Sequence, residues 1–139
     1  MGFLQSCFIR KNTPELRKKL EELGYKPSYP IFLYPEVFKY IAACNFFGSK
    51  YYGVSDDEVS HHGEIKDAIK NRGMIDCGTN EELFLALAAL RDDSDKNQWF
   101  TDDTCDIWEM SEYELPSHYM QLEGHKATIE EIIEHFKNK

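Results

Sequence analysis

The stretch Met74-Ile75-Asp76-Cys77-Gly78-Thr79-Asn80-Glu81-Glu82-Leu83-Phe84-Leu85-Ala86-Leu87-Ala88-Ala89-Leu90 decides how this chain folds. Met74 to Cys77 reads as a short strand and Gly78 as a turn. Thr79 to Glu82 has the pattern of a capping box, in which the Thr79 hydroxyl and the Glu82 carboxylate each satisfy a free backbone amide. From Leu83 to Leu90 every residue is apolar. A helix apolar on all sides is buried on most of them, and this one is far short of the ~20 residues that span a bilayer. The helix predicted over about residues 80 to 91 therefore belongs at the centre of the fold, with its alanines where neighbours approach closely.

Downstream, Asp92 to Asn97 forms an acidic loop into the strand Gln98-Trp99-Phe100-Thr101. Asp106-Ile107-Trp108-Glu109-Met110 is its expected partner, and the short connection makes the pair antiparallel. A further strand is expected around His118 to Leu122. Thr128-Ile129-Glu130-Glu131 is a second capping box, and Ile129, Ile132, Ile133 and Phe136 recur at i, i+3, i+4 and i+7, which predicts an amphipathic helix over about 129–137.

Upstream, Thr13-Pro14-Glu15 combines a capping hydroxyl, a proline at the first helical position and an acid at the positive helix end. Leu16, Leu20 and Leu23 mark the inner face of a helix over about 14–23, closed by Gly24. A first strand at about 3–9 precedes it. Pro27, Pro30 and Pro35 divide the next segment into extended pieces. Glu36 to Cys44 suits helix or strand, and the turn-like Asn45 to Ser49 ahead of Lys50 to Val54 favours a hairpin. Ile65, Ala68 and Ile69 predict a short surface helix over about 64–71. Three helices open on a T-x-E pattern, a convergence that capping physics alone explains.

The 139 residues fit a single domain, and 42% apolar content with 14% aromatics suffices for a core. The expected class is α+β: a mainly antiparallel sheet, a buried central helix and two flanking amphipathic helices. A formal charge of −9, from 25 acidic against 16 basic residues, opposes direct nucleic-acid binding, which relies on Lys and Arg at phosphates. The ordinary reading of that charge is a solvated surface, and it can also steer the chain towards a basic partner. Cys7, Cys44, Cys77 and Cys105 lack metal-site or disulfide-scaffold spacing, so reduced thiols and a cytoplasmic setting are expected. No signal peptide or membrane span is legible. Met1-Gly2 to Ser6 matches a myristoylation pattern, but Phe3, Leu4, Phe8 and Ile9 are better explained as strand.

The pairing of Ile75-Asp76-Cys77-Gly78-Thr79-Asn80-Glu81-Glu82-Leu83 and Gln98-Trp99-Phe100-Thr101-Asp102 with His125-Lys126-Ala127-Thr128-Ile129-Glu130-Glu131 resembles short uncharacterised bacterial proteins of gut commensals and their mobile elements. The resemblance covers about a third of the chain. It implies a bacterial, cytoplasmic setting and carries over no activity and no catalytic residue.

Three sets of residues are candidates for chemistry. Cys77 lies just ahead of a helix N-terminus, where the helix dipole lowers a thiol pKa and raises nucleophilicity, although no local signature supplies a base and a buried structural cysteine in a short strand is the preferred reading. His61 and His62, beside Asp56, Asp57 and Glu58, are chemically suited to zinc or nickel, although neighbouring histidines diverge on helix and strand. Asp93, Asp95 and Asn97 match the first three ligand positions of a calcium loop, but Gln98 stands where that loop needs glycine and Thr104 where it needs a bidentate glutamate. No phosphate loop, G-x-S-x-G or H-E-x-x-H occurs, so no cofactor is expected. The reading that remains is an interaction or regulatory module that engages a protein partner through its acidic surface and through Tyr51, Tyr52, Trp99 and Trp108. The alternative is a small enzyme using Cys77 or the His61–His62 pair.

Overall fold

A computed structural model describes residues 3–28, 37–44, 49–56, 59, 64–91, 96–102, 108–111 and 125–137. The chain runs β1 (Cys7–Ile9), α1 (Pro14–Leu23), β2 (Lys26–Pro27), β3 (Tyr40–Cys44), β4 (Lys50–Val54), α2 (Glu64–Asn71), β5 (Ile75–Asp76), α3 (Glu81–Ala88), β6 (Trp99–Thr101), β7 (Trp108–Met110), β8 (His125–Lys126) and α4 (Ile129–Phe136). This is the expected α+β domain with a buried central helix. The strands form two sheets rather than one. One has five strands in the order β2-β4-β3-β1-β5, the other three in the order β7-β6-β8.

Among the described residues four of the six strand pairings are antiparallel; β1 with β5 and β2 with β4 are parallel. Neither parallel pair joins strands consecutive in the chain: β3 intervenes between β2 and β4, and α1 to α2 intervene between β1 and β5. Parallel neighbours need such crossovers, whereas the consecutive strands β3 and β4 pair antiparallel. The predicted hairpin is β3–β4, in register with Ala42 opposite Tyr52. The strand expected around 118–122 lies outside the described residues.

Both faces of the larger sheet are covered, and the period-2 alternation of side chains sorts its residues between them. Cys7, Ile9, Ile41, Ala43 and Tyr51 point into one cluster with Leu16 and Leu20 of α1, Phe84 and Leu87 of α3, and Ile132 and Phe136 of α4. Phe8, Ala42, Cys44 and Val54 point the other way and meet Ile65, Ala68 and Met74. The helix read as a surface element, α2, is therefore the cover of the second face.

Local sequence explains the helix ends. Thr13 caps α1 by accepting from the Leu16 amide, and Gly24, at φ +120°, closes it with its amide shared between Leu20 and Glu21 carbonyls. Thr128 and Glu131 form the predicted capping box of α4. At α3 the cap is Asn80, not Thr79: the Asn80 Oδ1 accepts from the Leu83 amide at 3.0 Å. Gly78, at φ +59°, and Thr79 form the turn, leaving Asn80 as the residue that enters the helix.

Candidate functional site

α3 runs alongside α1 and in the same direction. Lys11, just ahead of α1, forms a 2.8 Å ion pair with Glu81 at the start of α3, and Tyr25, just past α1, donates its hydroxyl to the Ala88 carbonyl at 2.7 Å at the other end. α4 ends at the start of α3, where the Asn80 amide group donates to the Phe136 carbonyl at 2.6 Å. Inward, α3 buries Leu83, Phe84, Leu87 and Ala88. On its remaining side Ala86 and Ala89 are buried as well, while Leu85 is half-buried and Glu82 exposed.

A groove of about 670 Å³ lies over that side. α3 supplies Glu82, Leu85, Ala86 and Ala89, positions i, i+3, i+4 and i+7 of one helical stripe. Lys19, Glu22 and Leu23 of α1 form a second stripe at i, i+3 and i+4. Trp99, Met110, His135 and Phe136 close the far wall, with Lys96 and Asn97 at the rim. Leu85 and Trp99 are half-buried, and Met110 is 41% exposed, one of three large apolar side chains left open to solvent among the described residues. The size falls in the range of ligand-binding clefts, ~300–1,000 Å³.

The aromatic wall is a connected stack. Trp99 meets Phe136 edge-on at 5.3 Å and Trp108 at 6.5 Å, and Trp108 lies flat against His135 at 4.0 Å. Such pairs hold one another in place beyond the area they bury. Strand pairing sets their positions, with Trp99 opposite Met110. Gln98, almost fully buried, ties this wall to α3: its side chain accepts from the Arg91 amide and donates to the carbonyls of Ala89 and Lys96. Nothing in the sequence around Gln98 announces that role, because its three partners converge only when the chain turns back on the end of α3.

The predicted candidates fall apart by position. Of the four aromatics, Tyr51 is sealed in the core with its hydroxyl on Glu21 at 2.5 Å, and burial pushes its pKa up. Tyr52 occupies the opposite sheet face, beside Cys44. They form no shared patch with Trp99 and Trp108, which the structure does bring together. Asn97 sits at the groove rim in the left-handed region, φ +66°, with its amide on the Ser111 carbonyl at 2.7 Å. It acts there as a turn residue, a conformation asparagine tolerates. Asp93, Asp95, His61 and His62 lie outside the described residues. Among the described residues no group of three His, Cys, Asp or Glu is placed to hold a metal.

Cys77 has the burial of a structural cysteine and not the setting of the candidate nucleophile. It is 5% exposed, and burial first, then the charge of Asp76, pushes its thiol up to about 12. Desolvation outweighs the helix end, so the thiol is protonated at neutral pH instead of activated. Cys7, Cys44 and Cys77 are all buried, as small apolar residues of the core. No helix among the described residues is long and apolar enough to cross a membrane.

Comparison with protein-family models, with curated proteins and with solved structures returned no match, so the meaning of the groove rests on its geometry and chemistry.

Proposed function

We propose that this chain is a small non-enzymatic interaction module that seats apolar side chains of a protein partner in the groove over α3. The observation that carries the proposal is the groove itself, which Leu85 of the central helix and an aromatic wall line together. Interfaces concentrate their energy in buried aromatic and large apolar anchors, and Trp99, Leu85 and Met110 supply one side of such a contact. The −9 charge of the whole chain favours a partner of opposite sign and speeds its encounter. With Cys77 buried and its thiol protonated, the nucleophile that sequence singled out is lost to the enzymatic alternative.

Affinity capture from bacterial lysate tests this reading, using the native chain and the double variant Leu85→Asp, Met110→Glu, both checked for folding by circular dichroism. The expected result is a specific protein held by the native chain and lost from the variant. Retention of the same protein by the variant contradicts it.

A further inference from the structure

The groove over α3 is balanced in charge where the chain as a whole is not. Lys19 and Lys96 stand on it with Glu22 and Glu82, all four exposed, in a chain of net charge −9. A basic occupant meets two lysines there and an acidic one meets two glutamates, so the lining selects neither sign. A patch carrying both signs in equal number is complementary to a copy of itself, which is what an isologous two-fold contact requires. Resting on the reading of the groove as a docking surface, we infer that a second copy of this chain occupies it, with its α1 laid antiparallel to the first α1 along the trough.

The charge order of α1 carries this furthest. Lys19 and Glu22 lie one turn apart, at i and i+3, and both line the groove. Within one chain this order brings little. The lysine precedes the glutamate, the less favourable sequence on a helix, and among the described residues neither side chain holds an ion pair or a side-chain hydrogen bond. The last turn of α1 has no basic residue, although the negative end of a helix favours cations; it holds Glu21 and Glu22 instead. Glu21 accepts from the Tyr51 hydroxyl, which leaves Glu22 without an internal role. A two-fold axis midway between residues 19 and 22 sets the two α1 helices antiparallel. Lys19 of each copy then faces Glu22 of the other at two symmetric points, and each acidic helix end lies beside the basic turn of its mate.

Apolar surface adds to the contact. Leu23, half-buried on the α1 bank, shares the groove with the half-buried Leu85 and the exposed Met110. A second α1 in the trough brings its own Leu23 to that lining. Exposed ion pairs contribute little each, and two copies of charge −9 repel one another over a screening length of about 8 Å. The dimer is accordingly weak, and a partner that binds the groove more tightly displaces the second copy by mass action.

Sedimentation equilibrium tests this on four samples: the native chain, Lys19→Glu, Glu22→Lys, and an equimolar mixture of the two variants, each variant checked for folding by circular dichroism. The native chain is expected to dimerise with a dissociation constant of roughly 1–100 µM. Each variant alone places like charges at both symmetric points and is expected to dimerise at least about tenfold more weakly. In the mixture one chain carries glutamate at both positions and the other lysine at both, so opposite charges face each other again. Its association is expected to return to within about threefold of native.

A native chain that stays monomeric across that range overturns the inference. So does a dimer that neither substitution weakens, or a mixture that associates no better than the variants alone. A monomeric native chain that still captures a lysate protein through Leu85 and Met110 would sink the second copy as occupant and leave the docking reading intact. A dimer that obeys the charge swaps, with no lysate protein captured, supports the second copy and removes the other partner.

Discussion

The behaviour of single side chains in this molecule is set by what surrounds them more than by their place in the sequence. Asn80 and Thr79 are both good caps, yet only Asn80 reaches the Leu83 amide. Replacing Asn80 by alanine should cost about 1 kcal/mol of stability in urea unfolding, and Thr79→Ala less than about 0.5 kcal/mol. Equal losses would return the cap to Thr79. Cys77 shows the same priority of environment. A helix end nearby lowers a thiol pKa only when water or a cation also reaches the sulfur; here the neighbours are core side chains and the charge of Asp76. Native Cys77 should therefore react with iodoacetamide at least about a hundredfold more slowly than the same thiol in the denatured chain, because reaction requires the thiolate. Native and denatured rates within a few-fold would show that the sulfur is reached by solvent.

At the level of elements, the helices were the most legible part of the chain. The Leu16, Leu20, Leu23 and Ile129, Ile132, Ile133, Phe136 periodicities, with Thr13 and Thr128 as caps, predict α1 and α4 within a residue or two. The apolar run from Leu83 marks α3 as central because no polar face is available to it. Strand pairing was less legible. A three-residue strand such as Cys7–Ile9 carries too little pattern to show that both its faces are buried, and nothing local shows that it lies between β3 and β5. The consequence is measurable at Phe8, which points to the α2 side of the sheet and has no exposed surface. Phe8→Ala should destabilise the domain by about 3–5 kcal/mol in denaturant unfolding, the cost of deleting a fully buried ring. A loss below about 1 kcal/mol would mean that α2 does not seal that face.

For the molecule as a whole, the groove is the part that sequence reveals least. The groove is assembled from α1, α3, β6, β7 and α4, elements whose proximity is a tertiary fact. Sequence marked Trp99 and Trp108 as a potential surface but grouped them with Tyr51 and Tyr52, which the sheet sends to opposite faces. Buried thiols and phenols also give the whole molecule a pH response. The Cys77 thiol titrates higher in the folded state than in the unfolded chain, so its contribution is fully present below the unfolded value, about 8.5. That contribution is lost as pH rises towards about 12. Tyr25 and Tyr51, raised chiefly by burial, act in the same direction. Stability measured by chemical denaturation should fall across that alkaline window, and Cys77→Ala should make the fall shallower. An unchanged slope in the variant would show that Cys77 titrates normally.

The claim on which the account turns is that the stripe of α3 facing the aromatic wall is where a partner sits. Photo-cross-linking with benzoylphenylalanine placed at Met110 or at Val37 tests it most directly, because both side chains are open to solvent and Met110 lines the groove while Val37 does not. The account predicts a discrete adduct with the captured protein from position 110 and none from position 37. An adduct of equal yield from position 37, or one from position 37 alone, would contradict it.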